Sequence, residues 1–223
     1  MVAPARRKAA GVFIPTSMET VVFIDFENLK GKIKEVFRSS NKKPPSWREY
    51  DFACLLTKSL IGEQPDRKNI YHATLKMHPD TKEKSLELIS ELRFLKTSLP
   101  KQSLTLIPSG TVRGAYTDVP FGGGAKILTF REKGVDVRMA VDMVAMACDG
   151  KLRKAIIGSS DSDLQPAVTE LRNRGVKTVY LGLEHKPNRG LIYTTDDHIL
   201  IKNTDVLECS KAAGRPLFSN RAA

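Results

Sequence analysis

Short apolar runs rich in β-branched residues alternate with helix-like patterns along most of this 223-residue chain, and this alternation constrains its fold most. The runs that predict strands lie at 20–25, 70–75, 104–107, 154–158 and 176–181. Strands that alternate with helices predict an α/β domain with a mainly parallel central sheet and helices on both faces. A chain of this length can bury enough apolar surface for one such core.

The predicted organisation is one domain at residues 19–205, between a basic N-terminal tail (1–18) and a C-terminal tail (206–223). We expect Pro108 to end the third strand and the Gly-rich stretch 109–125 to be an irregular loop, because glycine adopts many backbone conformations. Additional short strands are expected at 126–130 and at 199–201. No apolar run reaches the roughly 18 residues that span a bilayer, so no membrane association is expected.

The chain is strongly basic, with 36 Lys and Arg against 25 Asp and Glu and a formal net charge of +11. This excess favours a polyanionic partner, nucleic acid first and acidic membrane surfaces second, although solubility alone is the simpler explanation. Cys54, Cys148 and Cys209 are far apart and form no Cys-x-x-Cys pattern. They therefore predict neither a zinc site nor a disulfide framework, and reduced thiols in the cytoplasm are expected.

Acidic residues follow the predicted strands. Asp25 ends the first strand, Asp161 and Asp163 follow the fourth, and Asp136 begins the buried helix before it. In open parallel sheets the ligand crevice lies at the carboxyl ends of the strands, where strand order reverses, so these acids are expected to converge. Clustered carboxylates repel one another, and Mg²⁺ or Mn²⁺ would remove that repulsion and activate a phosphodiester and a water. Asn28, in the first helical turn, would face the same pocket without adding charge.

Each of these acids also has a structural explanation. Asp163 is a good helix N-cap, Asp136 suits the positive end of a helix dipole, and Asp25 could be a turn residue. Asp142, in an otherwise apolar helix, either pairs with a basic residue or supports the metal-binding carboxylates, and we favour support. Ser159 and Ser160 are expected to support them as well.

Three segments carry a family resemblance: Val22-Phe-Ile-Asp-Phe-Glu-Asn-Leu29, Lys133-Gly-Val-Asp-Val-Arg-Met-Ala-Val-Asp142 and Ser159-Ser-Asp-Ser-Asp-Leu-Gln-Pro166. They resemble the three motifs of NYN domains, which are PIN-like nucleases of the LabA type. Segments 176–182 and 196–201 are similar to the closing segments of that family. The resemblance covers roughly residues 21–203. Phe26, commonly a small residue, and Ser160, commonly glycine, depart from the pattern.

The resemblance implies a Rossmann-like PIN fold with central strand order 3-2-1-4-5. It also implies Mg²⁺ or Mn²⁺ as cofactor and cleavage of RNA, as in a metal-dependent endoribonuclease. The implied metal ligands are Asp25, Asp136, Asp161 and Asp163, and Asn28 completes the implied catalytic set.

Carboxylates repel a phosphate backbone, so a basic rim is expected around the pocket. Single-stranded RNA is the expected partner, and its binding should weaken steeply as salt rises. A homodimer is left open. The candidate substrate-binding residues are Lys30, Arg113, Lys126, Arg131, Lys133 and Arg138.

Three alternatives stay open from the residues alone. The first is a PIN-like module that has lost catalysis and binds RNA or protein. The second is a phosphatase with Asp25 as nucleophile, although Glu27 stands where that class has a second aspartate. The third is a Toprim-like domain, which would use Asp161 and Asp163 as its acidic pair but lacks the glutamate expected after the first strand.

Overall fold

The computed structural model describes residues 17–75, 82–118 and 126–212. Its strands are β1 (Glu19–Asp25), β2 (Arg67–Leu75), β3 (Thr105–Asp118), β4 (Lys126–Lys133), β5 (Leu152–Gly158), β6 (Lys177–Leu183) and β7 (Asp197–Ile201). Its helices are α1 (Phe26–Ser39), α2 (Phe52–Ser59), α3 (Lys82–Ser98), α4 (Val135–Cys148), α5 (Gln165–Asn173), α6 (Arg189–Thr194) and α7 (Asn203–Ala212). None of the helices within these described ranges is long and apolar enough to cross a bilayer.

The strands form one seven-stranded sheet in the order β4-β3-β2-β1-β5-β6-β7. Every neighbouring pair is parallel except β3 and β4, which are antiparallel at one edge. The predicted parallel sheet and its 3-2-1-4-5 strand order, which corresponds to β3-β2-β1-β5-β6, are confirmed. The additional short strands expected at 126–130 and 199–201 are present as the edge strands β4 and β7. Strand order reverses between β1 and β5.

The third strand is longer than predicted. β3 continues through Pro108 to Asp118 and forms a hairpin with β4, so the prediction of an irregular loop is wrong for residues 109–118. Pairing with β4 begins only at Thr111, so β3 is still an edge strand at Pro108, where a missing amide hydrogen is tolerated. Residues 119–125, the rest of the predicted loop, lie outside the described residues.

The central strands are buried on both faces, as expected of a parallel sheet covered by helices. On one face, Val22 and Ile24 of β1 pack in a core that includes side chains from α1, α2, α3 and α7. On the other face, Val21 and Phe23 pack in a core that includes α4, α5 and α6. Phe23 is fully buried, so its truncation to alanine would cost about 3–5 kcal/mol.

A disulfide joins α2 to α7. Cys54 and Cys209, 155 residues apart, are bonded with their Cα atoms 5.7 Å apart, while Cys148 is free and exposed. The expectation of reduced thiols is therefore wrong for this pair, and the cysteines no longer support a cytoplasmic location. α7 also crosses the predicted boundary between residues 205 and 206, and its Val206 is fully buried.

Candidate active site

The site lies at the carboxyl ends of β1 and β5, the neighbouring strands between which strand order reverses. Ile24 and Gly158 are Cα partners in these two strands, so Asp25 and Ser159 leave the sheet side by side. The chain after β1 enters α1 on one face of the sheet, whereas the chain after β5 leads to α5 on the other face. The two connections separate here, which is the position of the ligand crevice in open α/β sheets.

Asp25 caps α1 and is itself buried, with 8% of its surface exposed. Its Oδ1 accepts a hydrogen bond from the Asn28 backbone N–H at 3.0 Å, as a preferred N-cap residue does. The pKa of Asp25 is raised to about 6, mainly because the buried carboxylate loses hydration. The hydrogen bond from Asn28 lowers the pKa, whereas the negative charges of Glu27, Asp161 and Asp136 raise it further. Asp25 therefore shares one electrostatic environment with the acids of β5 and α4.

Three other aspartates form a group that does not include Asp25, although the charges of two of them, Asp136 and Asp161, act on it. Asp136, Asp161 and Asp163 each offer one carboxylate oxygen, and these oxygens lie within 4.8 Å of one another. Asp136 is in the first turn of α4, where its charge also suits the helix dipole. Ligand oxygens of one octahedral Mg²⁺ ion lie about 2.9 Å apart when adjacent and about 4.2 Å apart when opposite, so these three oxygens are close enough to be candidate ligands but must approach one another to bind one cation.

The loop after β5 holds Asp161 and Asp163 in place. Asp161 accepts the Asp163 N–H at 2.9 Å and caps a single 3-10 turn, so the N-cap role that was expected for Asp163 belongs to Asp161. The Asp161 N–H donates to the buried Ser159 hydroxyl at 3.1 Å. The Asn28 side-chain carbonyl accepts the N–H and the hydroxyl of Ser160, each at 3.0 Å. Asn28 therefore links α1 to the loop that carries Asp161 and Asp163, which we call the acidic loop. These bonds use only the side-chain carbonyl of Asn28, not its side-chain NH₂ group.

Sequence reasoning missed one residue that supports this loop. The Asn188 side-chain amide donates to the Ser160 carbonyl at 2.8 Å, and its carbonyl accepts the Leu191 N–H at the start of α6. The Asn188 N–H donates to the Tyr180 hydroxyl at 3.0 Å. In the sequence, Asn188 is recognisable only as a possible N-cap of a short helix, and the sequence pattern did not predict a helix at 189–194.

Asp142 is paired rather than free. It accepts hydrogen bonds from Arg138 Nε at 2.8 Å and from the Tyr71 hydroxyl at 3.2 Å. Tyr71 is the Cα partner of Asp25 in β2, so it links Asp142 to the strand that carries the site. Burial first, and then the charge of Asp142, raise the pKa of Tyr71, which therefore stays protonated as a donor. The basic pairing considered for Asp142 is present, and it occupies the guanidinium Nε of Arg138.

Lys30 is sequestered at the first turn of α1. It is 8% exposed, its ammonium pairs with Glu27 at 2.6 Å, and it lies over the Phe26 ring at 4.8 Å from the centroid. Phe26, where the motif commonly has a small residue, packs in the core against Phe52. The larger side chain is therefore accommodated in the core.

The β3–β4 hairpin carries most of the other basic candidates. Arg113 and Arg131 are Cα partners in it, and Lys126 begins β4; the side chains of these three residues lie outside the described part of the structure. Lys133 ends β4 and is exposed, three residues before Asp136. At the hairpin base, Gly110 adopts a φ of +63°, and a Cβ there would overlap the Lys133 carbonyl oxygen.

Comparison with known proteins identifies the family. A similar solved structure is that of a protein of unknown function from Vibrio parahaemolyticus, 15% identical, with a TM-score of 0.47 and an alignment that covers 83% of this chain and 94% of that chain. No curated protein matches. The family model described as the NYN domain matches residues 19–202, a segment that contains all seven strands and the four acids of the site. The chain therefore belongs to the NYN domain family, a family of PIN-like nucleases.

Proposed function

We propose that this protein is a metal-dependent ribonuclease that hydrolyses phosphodiester bonds of single-stranded RNA, with Mg²⁺ or Mn²⁺ as cofactor. The observation that carries the proposal is the meeting of Asp136, Asp161 and Asp163 within 4.8 Å, beside the buried Asp25. A buried carboxylate among other carboxylates is unfavourable unless a cation compensates it.

The donor set fits a hard divalent cation, because all its ligand atoms are carboxylate oxygens. Asp136, Asp161 and Asp163 would hold the ion, with Asp25 as a fourth ligand. When bound, it would polarise the scissile phosphodiester and lower the pKa of a water.

The surrounding residues fix the acids before substrate arrives. Ser159 and Asn28 restrain the loop that carries Asp161, and Asp161 in turn fixes the backbone of Asp163. Groups that are already oriented need no rearrangement during the reaction, so no free energy is lost in aligning them and they stabilise the transition state more effectively. We assign Asn28, Ser159 and Ser160 this positioning role.

RNA would be held by the basic surface near the pocket. We assign phosphate contacts to Lys133, Arg138 and the hairpin residues Arg113, Lys126 and Arg131, and we leave out Lys30 because its ammonium is buried against Phe26. RNA as substrate rests on family membership and on the net charge of +11. The proposed RNA substrate is also the remaining argument for a cytoplasmic location. A homodimer stays a prediction.

The phosphatase alternative has less support. It requires a second acid two residues after Asp25, facing the same pocket, to handle the leaving group. Glu27 stands at that position but is exposed and ion-paired with Lys30 at 2.6 Å.

The test is cleavage of end-labelled single-stranded RNA and DNA by the purified chain, with Mg²⁺, with Mn²⁺ and with EDTA. We expect cleavage of RNA only with metal, and at least a 100-fold loss in Asp161→Asn, since metal ligands are rarely replaceable. Glu170→Gln is the matched control, because it removes an acid of a surface pair on α5 and should change nothing. Full cleavage in EDTA, or full activity of Asp161→Asn, contradicts the proposal. If metal also fails to raise the melting temperature, the inactive binding module is favoured.

A further inference from the structure

A second cavity lies away from the acids, between β2, β3 and the end of α3. We call it the β2–α3 groove; its volume is about 550 Å³, and its lining includes Lys68, His72, Lys96, Leu106 and Pro108. This volume falls within the roughly 300–1,000 Å³ of small-molecule sites.

His72, which lines the groove, has an unpaired buried acceptor. It is 1% exposed, and its Nδ1 lies 3.0 Å from the carbonyl oxygen of Ala73. A carbonyl can only accept, so Nδ1 carries the proton and Nε2 is left as an acceptor. Burial lowers the pKa of His72, which keeps the ring neutral. Nε2 is buried and has no partner among the described residues, an arrangement that a ligand O–H or N–H would correct.

The groove is also basic. Two other charged residues of the lining already have partners. Arg67 forms a salt bridge with Glu19, and the carboxylate of Asp66 accepts a hydrogen bond from the Thr20 N–H. Lys68 and Lys96, in contrast, pair with no acid in the part of the chain that the structure describes. Lys96 acts electrostatically on His72, and Lys68 lines the same groove four residues earlier in β2, so the lining as a whole suits a ligand that has both an anion and a hydrogen-bond donor.

We propose that the β2–α3 groove binds one nucleotide unit, with its phosphate on Lys68 and Lys96 and a sugar hydroxyl or base N–H donated to His72 Nε2. Leu106 and Pro108 supply apolar contact for the sugar or base. A phosphate, a hydroxyl and a planar base are common to a free mononucleotide and to a nucleotide within an RNA strand. Only the strand source rests on the proposed ribonuclease function.

The groove is separate from the acids but is connected to their end of the sheet. His72 follows Tyr71, the Cα partner of Asp25. Successive residues of a strand point to opposite faces, so His72 lies on the face opposite that of Asp25. His72 is one residue beyond the partner of Asp25, so the His72 end of the groove lies toward the carboxyl edge of the sheet, where α1 begins. An RNA strand that leaves the acidic pocket would have to cross the carboxyl edge of the sheet to reach this groove.

The test is binding of AMP, UMP and a decameric RNA in EDTA, measured by calorimetry on the full chain. EDTA removes metal from the acidic pocket, so the result is independent of cleavage. We expect binding that weakens at least 5-fold in the double variant Lys68→Gln/Lys96→Gln but is unchanged in Asp161→Asn. Lys202→Gln, at the opposite edge of the sheet, is the matched control.

The ligands then distinguish the two sources. Lysine-dependent binding of the mononucleotides supports a free nucleotide, and lysine-dependent binding of the decamer alone supports an RNA strand. Binding equal in the double variant and the wild type, or no binding by the wild type, overturns the proposal. His72→Phe removes the acceptor while keeping a ring. With its melting temperature checked, it should bind at least 5-fold more weakly, and wild-type binding would refute the role of Nε2.

Discussion

Replacing Asp25 by asparagine should stabilise the metal-free protein at neutral pH. The pKa of Asp25 is raised from 3.8 to about 6 in the folded state, a difference of about two units. Each unit corresponds to about 1.4 kcal/mol, so ionised Asp25 lowers the free energy of unfolding by about 3 kcal/mol. Asparagine cannot ionise, and it is as good an N-cap for the Asn28 N–H.

The sign of the pH dependence follows from proton binding. Between pH 3.8 and 6 the folded state binds more protons at Asp25 than the unfolded state, so the stability of the wild type falls as pH rises through this range. The advantage of Asp25→Asn should therefore be about 0.5 kcal/mol at pH 4, grow to about 2.5 kcal/mol at pH 6 and reach about 3 kcal/mol at pH 7.5. Urea unfolding in EDTA at these pH values measures it.

Two comparisons make this result decisive. Asp25→Ala loses the N-cap hydrogen bond of α1 as well as the charge, so it should be less stable than Asp25→Asn by about 1 kcal/mol at pH 4 and at pH 7.5. Mg²⁺ should stabilise the wild type more than Asp25→Asn at pH 7.5. If Asp25→Asn gains nothing at pH 7.5, or gains equally at pH 4, the reasoning about a buried carboxylate is refuted.

Two further predictions concern the scaffold. Cys54→Ser should lower the free energy of unfolding by about 5 kcal/mol, because the disulfide closes a loop of 155 residues and so restricts the unfolded chain. Urea unfolding measures this loss. Cys148→Ser, which removes a free and exposed thiol, should leave the free energy of unfolding unchanged. Gly110→Ala should cost about 3 kcal/mol, because its Cβ would overlap the Lys133 carbonyl at a positive φ. Gly62→Ala, also at positive φ but in open space, should cost about 1 kcal/mol, and equal melting temperatures for the two variants would contradict the overlap.

The sheet and the meeting of the acids could be predicted from the sequence for a specific reason. Apolar runs define parallel strands, and the carboxyl ends of parallel strands lie at one edge of the sheet. Asp25 and Asp161 each follow such a run, so their convergence required only that β1 and β5 be neighbours. The chain order of the motifs supplied that through the family resemblance.

The remaining features depend on partners that are distant in sequence. Pro108 and the glycines after it indicate a strand end, but β4 provides a pairing partner and the strand continues. Cys54 and Cys209 have no spacing pattern, since the fold alone brings α2 beside α7. Asn188 supports the acidic loop through a contact with Ser160, 28 residues away, which no local pattern encodes.

The capping bonds at the pocket also bear on which cation it would select. Asp25 and Asp161 are each anchored through Oδ1, to the N–H groups of Asn28 and Asp163. A carboxylate held in this way favours monodentate ligation through its other oxygen. Ca²⁺ accepts six to eight oxygens and often takes carboxylates in bidentate fashion, whereas Mg²⁺ requires octahedral geometry with few carboxylates. The same hydrogen bonds that begin a helix and a turn would thus disfavour the larger, more highly coordinated ion.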